Sequence, residues 1–142
     1  MNSKLIKAFT VGAITVGAVT MVYAQPVDIG KREYDNSCAV CHGAGGKGDG
    51  PLSVWLKKAP TDLTEIQKNN MGVFPFDRIS RIVDGREAVM LHGPREMPVW
   101  GRAYSEDAAE YFSEFGSAKD LKSFVRGRIV AMVGYIYTLQ KK

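Results

Sequence analysis

The sequence predicts a small all-α domain, and three observations carry that prediction. Leu121, Phe124, Val125, Ile129, Met132, Val133, Ile136 and Leu139 recur at three- and four-residue steps, the spacing of one helical face. No stretch of useful length alternates apolar and polar residues as a half-buried strand does. Glycines and prolines crowd the middle of the chain, so the first and last helices are joined by loop-rich segments. At 142 residues there is room for one domain and not comfortably for two.

The elements follow in order. A first helix is expected from Asp28, its N-cap, to about Cys41, with an apolar stripe through Ile29, Tyr34 and Ala39. Gly43, Gly45, Gly46, Gly48 and Gly50 then break regular structure, giving an irregular loop with positive φ angles or close backbone approach. Leu52 to Lys58 forms a short helix carrying Trp55, ended by Pro60. A short helix over 62–70 is capped by Thr61 or Thr64, and Phe74-Pro75-Phe76 is a turn. Asp77 to Asp84 is a helix with Gly85 as its C-cap. Residues 86–101 contain His92-Gly93-Pro94 and Met97-Pro98 and are extended. Residues 105–115 are helical, with Ala108, Ala109, Phe112 and Phe115 on the apolar side. Asp120 caps the long last helix, and Lys141 and Lys142 complement its dipole.

Composition narrows the class. The chain is 45% hydrophobic and 24% charged, which excludes a disordered tail or a stalk, and two cysteines are too few for a disulfide scaffold. Residues 1–24 read as a cleaved secretory signal: Lys4 and Lys7 precede a charge-free run from Ala8 to Val22, and Val22-Tyr23-Ala24 suits signal peptidase. That run of 15 residues is short of the ~20 a spanning helix needs, which argues against a retained anchor. Residues 25–142 then form the domain. Loss of Lys4 and Lys7 lowers the net charge from +4 to +2, too mild for a nucleic-acid binder. Export also places Cys38 and Cys41 in an oxidising compartment, where a lone pair of thiols is either a redox couple or covalently occupied.

Cys38-Ala39-Val40-Cys41-His42 carries the chemistry. Two thiols separated by two residues reach two vinyl groups on a haem and form thioethers, and the adjacent imidazole is pinned against the iron. A thioredoxin-like dithiol would need a βαβ setting, and no strands are expected here. A zinc site would have His92 as its only obvious fourth ligand, without the usual pair of separated ligand pairs.

The iron's other face has four candidates: Met97, His92, Met90 and Met71. Met97 is preferred because Pro94 and Pro98 stiffen its loop and present the thioether at low entropic cost. His92 is the rival, since imidazole binds iron more strongly than a thioether does. Met90 sits in an apolar run and reads as packing, and Met71 falls between Asn70 and Gly72 in a surface turn.

Taken together, Cys38 to His42, the loop ending Gly48-Asp49-Gly50-Pro51-Leu52, and Met97-Pro98-Val99-Trp100-Gly101 resemble a class I cytochrome c. More narrowly, they resemble the small periplasmic monohaem cytochromes of Gram-negative bacteria, over about residues 28–140. The resemblance implies a single cytochrome c-like domain in which the N- and C-terminal helices pack together around one covalently bound haem c. It implies that Gly30 and Tyr34 pack against Tyr135 of the last helix. It implies that the Pro51 carbonyl accepts the His42 Nδ1–H, that Leu52 and Trp100 lie against the haem, and that His42 and Met97 ligate the iron. The segment Pro60 to Thr64 is similar to the one near the haem propionates. About eighteen residues, Arg102 to Lys119, separate the methionine loop from the last helix, more than in the smallest members.

The expected function is periplasmic transfer of single electrons without catalysis, between a donor dehydrogenase or quinol oxidoreductase and an acceptor oxidase or reductase. No nucleic acid or small-molecule substrate is expected. Two alternatives stay open: a haem subunit of a larger membrane or periplasmic oxidoreductase, and a haem sensor or enzyme with a displaceable sixth ligand.

Overall fold

A computed structural model describes residues 28–87 and 97–141. The signal segment, Met90, His92 and Lys142 lie outside the described residues. Among the described residues there are six α-helices and no strands: α1 (Ile29–Ser37), α2 (Ala39–His42), α3 (Ile66–Asn69), α4 (Phe76–Asp84), α5 (Trp100–Phe115) and α6 (Ala118–Thr138). Single 3₁₀ turns stand at Ser53–Trp55 and Leu63–Glu65.

The long helix α6 is the spine, and α1, α4 and α5 all pack on it. Its expected apolar face is its buried face: Val125, Ile129, Met132, Val133 and Ile136 form the core with Tyr34, Cys38, Val83 and Tyr104. Phe124 departs from that face and is 43% exposed.

The α1–α6 crossing depends on Gly30. A Cβ there would lie 2.2 Å from the Ala131 carbonyl oxygen and 3.1 Å from Tyr135 Cβ, so only glycine lets the backbones approach this closely. The Tyr34 and Tyr135 rings meet at 5.2 Å one turn further on, as the resemblance implied.

Several boundaries differ from expectation. The buried side of α1 is Gly30, Glu33, Tyr34 and Ser37, whereas Ile29 is half exposed. A charged residue takes the inner position because Arg128 of α6 meets it, Nη2 to Glu33 Oε2 at 2.7 Å. The helix expected over Leu52–Lys58 contracts to the 3₁₀ turn. At 62–70 the capping oxygen belongs to Asp62, which accepts from Thr64 N at 2.8 Å, and not to Thr61 or Thr64.

Helix α5 starts at Trp100, five residues early, with Val99 extended as its N-cap; of the stretch 86–101 expected to be extended, residues 88–96 lie outside the described residues. Its inner side is Gly101, Tyr104 and Ala108, and Phe115 is 68% exposed. Helix α6 is capped by Ser117: its hydroxyl accepts from Asp120 N, and the Asp120 carboxylate accepts from Ser117 N, a reciprocal capping box. Lys141 leaves the helix dipole and reaches Asp62 and Glu65 at 3.3 and 2.9 Å.

Candidate functional site

The motif turns on Cys38. Its amide closes the last turn of α1 on the Tyr34 carbonyl (2.8 Å). Its own carbonyl starts α2 by accepting from Cys41 N (3.1 Å) and His42 N (2.8 Å). Cys38, Cys41 and His42 are therefore presented on one helical turn at the end of the helix that crosses α6.

The glycine-rich loop folds back over this turn. The amides of Gly48, Gly50 and Leu52 donate to the carbonyls of His42, Cys41 and Val40, at 2.8, 3.1 and 2.9 Å. These are carbonyls that a helix end leaves without partners. A Cβ on Gly50 would sit 2.6 Å from the backbone of Ala39, Val40 and Cys41, so the loop lies flush only because glycine is there. The Tyr34 hydroxyl donates to Gly43 O at 2.6 Å and ties the loop to the helix crossing. Burial holds that phenol protonated well above its ordinary range.

The two thiols sit in different surroundings. Cys38 is 5% exposed, its Sγ 3.3 Å from Met132 Sδ on α6. Burial, with the neighbouring Cys41 adding, pushes its thiol up to about 12, so it stays neutral. Cys41 is half-buried. Tyr104 of α5 completes the floor, its hydroxyl 3.0 Å from Ser37 Oγ and 3.8 Å from Met132 Sδ.

His42 corrects one expectation. Its Nδ1 faces the carbonyl oxygen of Thr61 at 3.0 Å, where the resemblance assigned that acceptor to Pro51. Pro51 lies exposed at the turn between Gly50 and Leu52. With Nδ1–H donating to Thr61, Nε2 is the ring nitrogen that carries the lone pair, the form in which imidazole ligates a metal. Leu52 is held beside Val40, its side chain 44% exposed. Met97 and Trp100 are half-buried and pack against the core cluster that contains Cys38, and the Trp100 ring stacks on Tyr104 at 5.9 Å. Met71 is 94% exposed at a turn, far from a packed ligand's surroundings.

These residues suit a covalently held haem better than a bare ion. Among the described residues no three His, Cys, Asp or Glu side chains converge to hold a metal. Cys38 turns to Met132 and His42 to Thr61, so the motif is no zinc cage. On the motif and the turn after it Val40 and Leu52 are partly exposed and Val54 and Trp55 mostly so, apolar surface that a flat apolar group can cover.

Sequence reasoning missed Thr61, Met132, Ser37 and Tyr104. Met132 was visible only as part of an apolar face. The Thr61 contact is made by backbone and has no side-chain signature.

Comparison with known proteins gives one positive finding. The family model described as cytochrome C oxidase, cbb3-type, subunit III matches residues 25–115. No curated protein and no solved structure matches the chain.

Proposed function

Because the chain belongs to the cytochrome c family described as cbb3-type cytochrome oxidase subunit III, we propose that it is a periplasmic carrier of single electrons with His42 and Met97 as axial ligands. Family membership implies covalently bound haem c, haem-based electron transfer and redox partner proteins in general. When bound, the haem supplies a one-electron ferric–ferrous couple.

The observation that carries the reading is the packing of the motif. Cys38, Cys41 and His42 share one turn, three loop amides bind its carbonyls, and Thr61 O fixes the imidazole at Nδ1, which assigns Nε2 to the iron in this reading. Met97 supports the second ligand role by packing half-buried against the core that holds Cys38. A firm shell of this kind orients a ligand and keeps it in place through repeated redox cycles. The segment before residue 25 serves as a cleaved export signal in this reading. The partners are a donor dehydrogenase or quinol oxidoreductase and an acceptor oxidase or reductase, met through small transient interfaces.

A second reading has an observation in its favour: the matching family is described as an oxidase subunit. In that case the same domain is a resident electron relay of a larger complex, and it co-purifies with that complex from native membranes at stoichiometric yield.

Spectra of haem-loaded protein test the ligand set. Met97→Ala abolishes the weak ferric–thioether charge-transfer band and lets carbon monoxide bind the reduced form, while His92→Ala keeps the band. A band that survives in Met97→Ala overturns the assignment of Met97. Carbon monoxide binding to unmodified reduced protein, without denaturation, instead supports a sensor or enzyme.

A further inference from the structure

The carbonyl that receives His42 belongs to a segment held from two sides. On one side is the glycine-rich loop: Leu63 N donates to Gly46 O at 2.6 Å, and Gly48 lies so close that a Cβ would approach Pro60 O to 2.3 Å. On the other side is the end of α6. Lys141 N donates to Thr64 O at 2.9 Å. The Gln140 amide meets the segment twice, with Nε2 donating to Leu63 O at 2.7 Å and Oε1 accepting from Gln67 N at 2.9 Å, and Nε2 also donates to Ile136 O at 2.9 Å. Lys141 Nζ bridges Asp62 and Glu65. Asp62 in turn accepts from the Thr64 amide and hydroxyl at 2.8 and 2.6 Å.

We propose that Gln140 and Lys141 are positioning residues for the proximal imidazole: by clamping residues 62–67 they set the Thr61 carbonyl against His42 Nδ1 and thereby tune the redox equilibrium. The physical link is short. A fixed carbonyl 3.0 Å from Nδ1 draws the N–H proton and makes Nε2 the stronger donor, which favours the more highly charged, oxidised state. A carbonyl free to drift withdraws that bias, so the reduced state gains. Neither residue touches His42, and they lie 98 and 99 positions later in the chain. The inference rests on His42 being an axial ligand.

The test is the midpoint potential of haem-loaded protein, with exchange of the His42 Nδ1 proton followed by NMR in the reduced form. Gln140→Ala/Lys141→Ala shifts the ferric–ferrous equilibrium toward the ferrous state by about threefold to tenfold, below the ~10–100-fold effect of removing an outer-shell partner outright because the Thr61 carbonyl is loosened and not deleted, and its Nδ1 proton exchanges faster. Lys141→Arg keeps the parent values. Thr138→Ala serves as control: its hydroxyl donates to Tyr135 O within the same helix end. It leaves the potential unmoved. If the double variant does not fold, Lys141→Gln is read by the same criteria. A ferric–ferrous equilibrium that moves by less than threefold, or an equal shift in Thr138→Ala, overturns the proposal. Absence of a histidine-ligated spectrum in the parent protein overturns the underlying site reading instead.

Discussion

At the scale of single residues, the decisive atoms are ones that carry no side-chain chemistry. Gly30 is the clearest case. Placing alanine there drives a Cβ to 2.2 Å from the Ala131 carbonyl, and backbone cannot step aside as a flexible side chain would. Gly30→Ala is expected to lower unfolding free energy by about 1–3 kcal/mol, the usual cost of overpacking, as measured by urea denaturation of the loaded protein. An unchanged midpoint would mean that the helices do not cross at this contact. The same logic explains what was legible. The pentapeptide 38–42 announces itself because thiols and imidazole are chemically distinctive. The acceptor for His42 does not, since Thr61 contributes a peptide oxygen that any residue possesses. Assigning it to Pro51 placed the acceptor in the wrong part of the loop.

At the scale of elements, periodicity located the helices and left their ends uncertain. Helix α4 ends where Gly85 requires it, with φ +86°. Helix α6 begins earlier than Asp120 because Ser117 and Asp120 satisfy each other's backbone donors, a pair that reads in sequence only when both positions are considered together. Ser117→Ala removes the cap oxygen and is expected to cost about 1 kcal/mol, seen as a lower thermal midpoint with unaltered haem spectra. A variant as stable as the parent would show that the first turn of α6 contributes nothing. The start of α5 was illegible for a different reason. Two prolines nearby argued for extended chain through Gly101, yet Trp100 and Gly101 belong to the helix, where Gly101 fits against Asp84.

For the molecule as a whole, one arginine joins three helices. Arg128 on α6 holds Glu33 on α1 at 2.7 Å, approaches Asp107 on α5 at 3.7 Å, and lays its guanidinium 3.9 Å from the centre of the Tyr104 ring. Glu33 is 3% exposed, so the carboxylate depends on this partner. Arg128→Met is expected to destabilise by about 3 kcal/mol, because the buried Glu33 loses its close partner and keeps only Arg32 at 4.0 Å. Adding Glu33→Gln should restore much of the loss, a recovery that a double-mutant cycle in urea measures directly. Additive losses would show that the two residues are energetically independent. Nothing in the sequence flagged Glu33, because its partner lies 95 positions away and buried acids have no local pattern. The all-α class was readable, and so was the meeting of first and last helices once the resemblance was recognised. The salt link that fastens them was not.

Cys38 rests on Met132, 94 positions downstream. Before the chain folds nothing encloses that sulfur, and packing of the last helix leaves it 5% exposed. Any reagent that bonds to Cys38 must therefore arrive before that wall closes, whereas Cys41 stays partly accessible afterwards.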